Sequence, residues 1–353
     1  MKILLLAHTY YGSPFKVGSH FLFEEFRISN HEVRHMSTPI TPFHRILRVF
    51  NRKKSKFHSR RFATQDAALG NVIPMTFIPI QMRLSRLFIP KKFRVELSQE
   101  VDLIVIDQVN FLRFTKLFHP EAQVILRLTD FVSKKREIDL IQNGSFSKIV
   151  LTNQNILKNL HDLHIPSIVI PNGYSPVQMN SSNRVIKRHG MIYVGALDSR
   201  IDWSLIQNIA THAEFEFLHI YGLPKPKAVL PDRVSYLGSI PHGDTFKLYE
   251  QYRFGILPYQ FSPQNICRSP IKLYEYIASG LIVLVPDFLK VEQYTENKSI
   301  STFTSWIQNN LEDWDNSTES VTDDELGSTW EVISQQLLHF SLQKNVETFE
   351  DTL

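Results

Sequence analysis

The 353-residue chain is 43% hydrophobic and 21% charged with a net charge of +4, an ordinary globular composition in a chain too long for one compact core and about right for two domains. Its apolar runs, such as "KILLLA" (2–7) and "LIVLVP" (281–286), are strand-sized and far short of the roughly 18 residues a membrane helix needs, and "MKILLLAHTYYG" breaks at His8 and makes a poor signal peptide. Cys267 is the only cysteine, which excludes disulfides, zinc ribbons and iron–sulfur clusters and fits a reducing cytoplasm.

In chain order, "KILLLAHTY" opens as a buried strand, "FLFEEFRIS" reads as a helix and "HEVRHMS" as a second strand. The segment 43–62, "FHRILRVFNRKKSKFHSRRF", follows with eight Lys/Arg, two His and no acid. On a helix, Phe43, Ile46, Leu47 and Phe50 share one face. Arg45, Arg48, Arg52, Lys53, Lys54, Lys56, Arg60 and Arg61 flank it, a pattern that suits anionic lipid headgroups at about 1 kcal/mol per cation. "FIPKKFR" (88–94) can add to the patch, and a solvated loop or a nucleic-acid grip are the other readings of such charge. "VDLIVIDQV", "VILRLTD", "KIVLTN" and "SIVIPNG" then each run apolar into polar residues, as parallel strands covered on both faces do. The polar stretch 175–190 separates this α/β block from a second one.

The second block runs "MIYVGALD", a helix from about Trp203, "FEFLHIYG", "RVSYLGSI", a helix near "DTFKLYEQY", "FGILPY", a helix in "RSPIKLYEYIASG" and the strand "LIVLVPD". The expected organisation is a Rossmann-like domain over 1–178, a second over 186–305, and a helical tail over 306–353 that can pack back on the first domain. Two doubly wound parallel sheets of this kind, facing each other, predict a ligand in the cleft at the carboxyl ends of the strands, where helix amino ends also point.

The stretch 268–280 carries the sharpest chemistry. Ser269 can cap the helix, Pro270 suits its first position, and Ile271, Tyr274, Ile277 and Ala278 form a buried stripe. Lys272 and Glu275 then share another face. Lys272, with Arg268 just before the helix, makes an anion seat for a diphosphate, and Glu275, one turn deeper, can accept from a ribose. A solvated ion pair is the alternative for an isolated helix, and the strand that follows argues against it.

"SPIKLYEYIASGLIVLVP" resembles the donor-nucleotide helix of GT-B glycosyltransferases, and "YVGALDSRIDWSLI", "IYG", "YLGSIPHGDTFKLYEQYRFGILPY" and "IPNGY" fit that fold in order and spacing. Within it the chain is most similar to bacterial exopolysaccharide and teichuronic-type transferases, the xanthan-pathway glucuronosyltransferase among them. The resemblance implies transfer from a UDP-sugar, with UDP-glucuronate a candidate, to a lipid-linked saccharide or glycan acceptor at the cytoplasmic, inner face of the membrane. It implies a diphosphate on Lys272, with Arg268, Ser269 and Ile271 beside it, and a ribose on Glu275, where the xanthan-type relative has glutamine. Backbone amides at Gly195 and Ala196, with Arg200, would meet the phosphates. Tyr221, Gly222 and the stretch around Leu237–Gly238 would line the base pocket, unless these glycines are simply turns.

An acceptor hydroxyl needs a base, and Asp130 at the end of "VILRLTD" is the expected one, as in the xanthan-type enzyme. Many retaining relatives carry His-Asp there, and Thr129 in the histidine's place favours inversion. His20, Asp107 and Arg127 are further candidates for the cleft, with His20 secondary because a histidine at a helix start is more often a cap or core partner. A glycosidase would need a second carboxylate beside Asp130. "DWD" (313–315) sits in an acidic tail, no His/Cys cluster accompanies it, and no metal or other cofactor is expected. A nucleotide-sugar 2-epimerase of the same fold and an inactive module docking on membrane or nucleic acid are the rival functions.

Overall fold

A computed structural model describes residues 1–9, 11, 16–37, 71–72, 89–160, 165–175, 188–289, 299–308 and 328–343. They fall into two compact units, Met1–Pro171 with Trp330–Leu353, and Asn172–Thr329. The basic segment 43–62, most of the polar stretch 175–190 and the acidic tail around "DWD" lie outside the described residues.

The first unit is built on a seven-stranded parallel sheet in the order β3-β2-β1-β4-β5-β6-β7. Its strands are β1 (Lys2–Ala7), β2 (Glu32–Ser37), β3 (Asn71–Val72), β4 (Leu103–Ile106), β5 (Gln123–Leu128), β6 (Lys148–Leu151) and β7 (Ser167–Val169). The central strands are buried along almost their whole length, Ile3–Ala7 and Leu103–Ile106 most completely, which is why their sequences are continuously rather than alternately apolar. Helix α1 (Gly18–Ile28) buries Phe21, Leu22, Phe23 and Phe26. The "PKKFR" run belongs to α2 (Lys91–Ser98), which buries Phe93 and Leu97 and leaves Lys91, Lys92 and Arg94 exposed. Helix α3 (Lys135–Gln142) follows β5.

A helix over Trp330–Leu342 returns to this unit. The Trp330 ring lies parallel on Phe21 of α1, 4.8 Å between centroids, and both are fully buried. At its other end Lys148, buried at the start of β6, donates from Nζ to the carbonyls of Phe340 (2.5 Å), Ser341 (3.0 Å) and Gln343 (2.5 Å). An ammonium at a helix carboxyl end meets the negative pole of its dipole and the carbonyls that have no partner within the helix. Lys148→Met keeps the stem and removes the donors. It is expected to cost about 3 kcal/mol, since three carbonyls lose a charged partner. Hydrogen exchange should quicken in 330–342 while β1 and β4 stay protected; unchanged protection of that helix would show that the lysine does not hold it.

The second unit repeats the strand order. Its six parallel strands run β10-β9-β8-β11-β12-β13: β8 (His189–Val194), β9 (Leu218–Tyr221), β10 (Val234–Tyr236), β11 (Tyr252–Ile256), β12 (Ile282–Val285) and β13 (Ile300–Thr302). Helices α4 (Trp203–Ala210), α5 (Thr245–Tyr249), α6 (Pro263–Ile266), α7 (Ile271–Ala278) and α8 (Phe303–Gln308) connect or flank them. In each unit the order reverses beside the first strand, at β1/β4 and at β8/β11, the kind of switch point at which such sheets leave room for a ligand. Every strand and helix expected in the second block is present. Helix α7 ends where the glycine predicts: Gly280 has φ +72° and Leu281 N–H reaches back to the Tyr276 carbonyl at 3.0 Å. Arg188 adds hydrogen bonds to the carbonyls of Ser279 (2.9 Å) and Gly280 (2.7 Å).

Candidate functional site

The carboxyl ends of β8, β9 and β10 are tied together mainly by backbone. Gly195 N–H donates to the Tyr221 carbonyl at 3.0 Å, Leu197 N–H to Leu223 at 3.0 Å, and Gly222 N–H to Gly238 at 2.7 Å. A Cβ at Gly222 would stand 1.8 Å from the Gly195 carbonyl oxygen, so two chain segments meet here at a distance that only glycine allows. The hydroxyls of Tyr193 and Tyr236 close the arrangement on the carbonyls of Ala196 and Gly222, both at 3.0 Å. The amide of Gly195, expected to meet a phosphate, is thus committed to the sheet's extension, and the glycine contributes shape instead. Of the expected pair, Ala196 N–H alone has no backbone acceptor among the described residues.

Helix α7 differs from its expected form in two ways. It is buried on nearly all sides from Leu273 to Ala278, where a single stripe was expected, because it fills the space beside β11 and β12. Ser269 lies one residue too early to cap it: Pro270 is the N-cap and no side chain caps the helix. Buried Ser269 instead accepts from Asn172 N–H at 3.0 Å and hydrogen-bonds the Tyr274 hydroxyl at 2.8 Å, while the Asn172 amide donates to the Ser269 carbonyl at 2.6 Å. Lys272 is therefore the second residue of a helix whose amino end carries no side-chain acceptor, and the helix dipole adds positive potential there.

Around Glu275 the structure assembles a cluster that the sequence only half reveals. Lys272 Nζ is 2.5 Å from Oε2, Tyr249 donates its hydroxyl to Oε2 at 3.2 Å, and His242 Nε2 lies 3.0 Å from Oε1. Burial by itself would push this carboxyl up. The Lys272 ammonium, the His242 hydrogen bond and the His242 charge outweigh it and hold the group at about 2. An ionised carboxylate only accepts, so His242 must carry its proton on Nε2. The Glu275 side chain is 2% exposed, against 21% for Lys272 and 22% for His242. A carboxylate offers about four acceptor positions; three are filled, and the remaining one is on Oε1. His242 and Tyr249 were missed as site residues. Their spacing of seven, which puts both on one side of the turn and α5, was the available signal.

The other expected donor residues keep to the same unit. Arg200 is clamped by Asp198, Nε at 2.7 Å and Nη2 at 2.6 Å, so its charge is matched within the "GALDSR" loop. Arg268 lies over the Tyr259 ring at 5.6 Å, and Tyr221 and Ile271 are half-buried.

In the first unit the candidates separate into distinct environments. Arg127, 1% exposed on β5, donates to Asp107 Oδ2 at 3.1 Å. Burial raises the Asp107 carboxyl more than Arg127 lowers it. Asp130 stands two residues beyond β5 and is exposed. His20 is a core partner: Nε2 is 3.2 Å from the Thr9 hydroxyl, and its ring meets those of Tyr11 (5.7 Å) and His35 (5.4 Å). Burial pulls it down to about 4, which makes it neutral at neutral pH.

No protein-family description matches this sequence, and no curated protein matches it. Solved structures do. Sucrose-phosphate synthase from Thermosynechococcus elongatus superposes with a TM-score of 0.67 at 13% identity, over 96% of this chain and 98% of that one. Anabaena HepE in complex with UDP-glucose gives 0.65 at 14% identity, over 96% and 99%. The lipopolysaccharide outer core galactosyltransferase WaaB gives 0.56 at 12% identity, over 96% and 95%. These neighbours are GT-B glycosyltransferases, and the likeness shows that this chain has the GT-B fold of two Rossmann-like domains.

Proposed function

We propose that this protein is a metal-independent glycosyltransferase that moves a sugar from a UDP-sugar, UDP-glucuronate among the candidates, to a hydroxyl of a lipid-linked or glycan acceptor in surface-polysaccharide synthesis. The observation that carries the reading is Lys272, held by buried Glu275 at the uncapped amino end of α7. As the acceptor oxygen bonds to the anomeric carbon, the bond from that carbon to the diphosphate breaks and negative charge grows on the leaving group. An ammonium and a helix amino end stabilise that charge without a metal. Asp130 takes the acceptor's proton, with inversion, and Glu275 accepts one ribose hydroxyl at its remaining Oε1 position. The basic segment 43–62 docks the enzyme on the anionic inner leaflet. No helix among the described residues is long and apolar enough to cross a membrane.

A thermal-shift screen of UDP-, GDP-, ADP- and CMP-sugars tests the donor, with stabilisation by a UDP-sugar expected. A chain stabilised by none of them would remove the reading. Incubation of the donor alone separates transfer from 2-epimerisation, which would yield an isomeric nucleotide sugar without any acceptor.

A further inference from the structure

We propose that His242 is a positioning residue of the nucleotide site: it holds the Glu275 carboxylate in the orientation that fixes the Lys272 ammonium. The inference rests on the reading that Lys272 faces the donor diphosphate. A lysine three residues before a glutamate on a helix gains a few tenths of a kcal/mol from the pair and keeps most of its rotamers. That is too little to present an ammonium in one place. Here the carboxylate cannot follow the lysine about, because other groups hold it. Tyr249 shares Oε2 with Lys272, and His242 alone among the described residues takes Oε1.

His242 is in turn fixed by its own segment. Its ring meets Phe246 edge-on at 5.9 Å, Phe246 meets Tyr249 in the same way at 5.9 Å, and the Thr245 hydroxyl donates to the His242 carbonyl at 2.8 Å. One short stretch, from His242 to Tyr249, thus grips both oxygens of a carboxylate 33 residues further along the chain at one point and 26 at the other. Without the imidazole, Oε1 would be a buried carboxylate oxygen with no donor. The group would then turn or take up a proton, and Lys272 would regain the rotamer freedom that its fixed pairing removes. A nucleotide diphosphate would have to order the lysine on binding, and affinity would fall by that amount.

Calorimetry with UDP and with uridine tests this. His242→Ala is expected to weaken UDP about tenfold more than uridine, because both lose the ribose contact of a displaced Glu275 and only the diphosphate reads the ammonium. His242→Gln, whose amide can donate to the same oxygen, is expected to recover affinity to within about threefold of wild type. In a Lys272→Met background the histidine substitution should cost UDP no more than it costs uridine, since the diphosphate's share acts through the lysine. Unchanged UDP affinity in His242→Ala, failure of glutamine to rescue, or an equal loss in the Lys272→Met background would each overturn the proposal.

A ligand-free measurement keeps it separate from the donor reading. The Lys272 ammonium proton–nitrogen resonance, visible when the group is held from exchange, should appear in wild type and His242→Gln and vanish in His242→Ala. If it persists in His242→Ala, the positioning role is lost. If wild type fails to bind UDP while the resonance behaves as expected, it is the donor reading that fails.

Discussion

Asp130→Asn is expected to lower the transfer rate about 10³-fold while leaving UDP affinity within about twofold of wild type. Asparagine keeps the shape of the side chain and cannot take the acceptor's proton, so the loss should fall on turnover. Lys272 and Glu275, the residues proposed to hold the donor, belong to the other unit, which is why nucleotide affinity should survive. The competing carboxylate, Asp107, gives a different signature. Its partner Arg127 is fully enclosed, so Asp107→Asn removes a carboxylate paired with a buried cation and should lower the melting temperature along with the activity. A full rate in Asp130→Asn, or a loss of rate matched by a loss of stability, would move the base elsewhere. Single-turnover rates with saturating UDP-sugar, read beside a melt of each variant, separate these outcomes.

The second large effect is expected of Lys272→Met. UDP affinity should fall about 30-fold, since on the proposed reading the diphosphate loses its main cationic partner, and stability should fall with it in a pH-dependent way. In wild type the Glu275 carboxyl sits at about 2, below its ordinary 4.5. A depressed carboxyl contributes stability that is fully present above about 4.5 and is lost as pH falls through about 2. Without the ammonium, burial, the largest influence on this group, pushes it up, and the buried charge keeps only His242 and Tyr249 as partners at neutral pH. The gap in urea midpoint between wild type and Lys272→Met should therefore be widest above about pH 5 and narrow as pH falls toward 2. A gap that does not change with pH would mean that the lysine and the glutamate are not electrostatically paired in solution.

The parallel strands were legible because residues enclosed on both faces must be apolar at every position, as in Ile3–Ala7 and Ile282–Val285. The end of α7 was legible because Gly280 occupies a backbone region that other residues avoid. Lys272 and Glu275 were legible as a pair because three residues is a helical spacing. What surrounds them was not. His242 and Tyr249 reach Glu275 through the packing of α5 against α7, and no local pattern encodes which of the chain's 14 histidines meets a given glutamate. Ser269 was assigned to the helix cap by its position in sequence, whereas its contact with Asn172 spans 97 residues. Lys148 looks in sequence like an ordinary strand-edge lysine until the carbonyls of a helix more than 190 residues later are brought to it.

The stacking of Trp330 on Phe21 bears on how the molecule is made. Synthesis runs from the amino terminus, and Asn172–Thr329 emerges complete before the helix that finishes the earlier unit has been translated. Until that helix arrives, the nascent first unit holds Phe21 without its covering ring and Lys148 without its three carbonyls. The later-made unit can thus reach its native state ahead of the earlier one, and the interval leaves an apolar face of α1 open to chaperones.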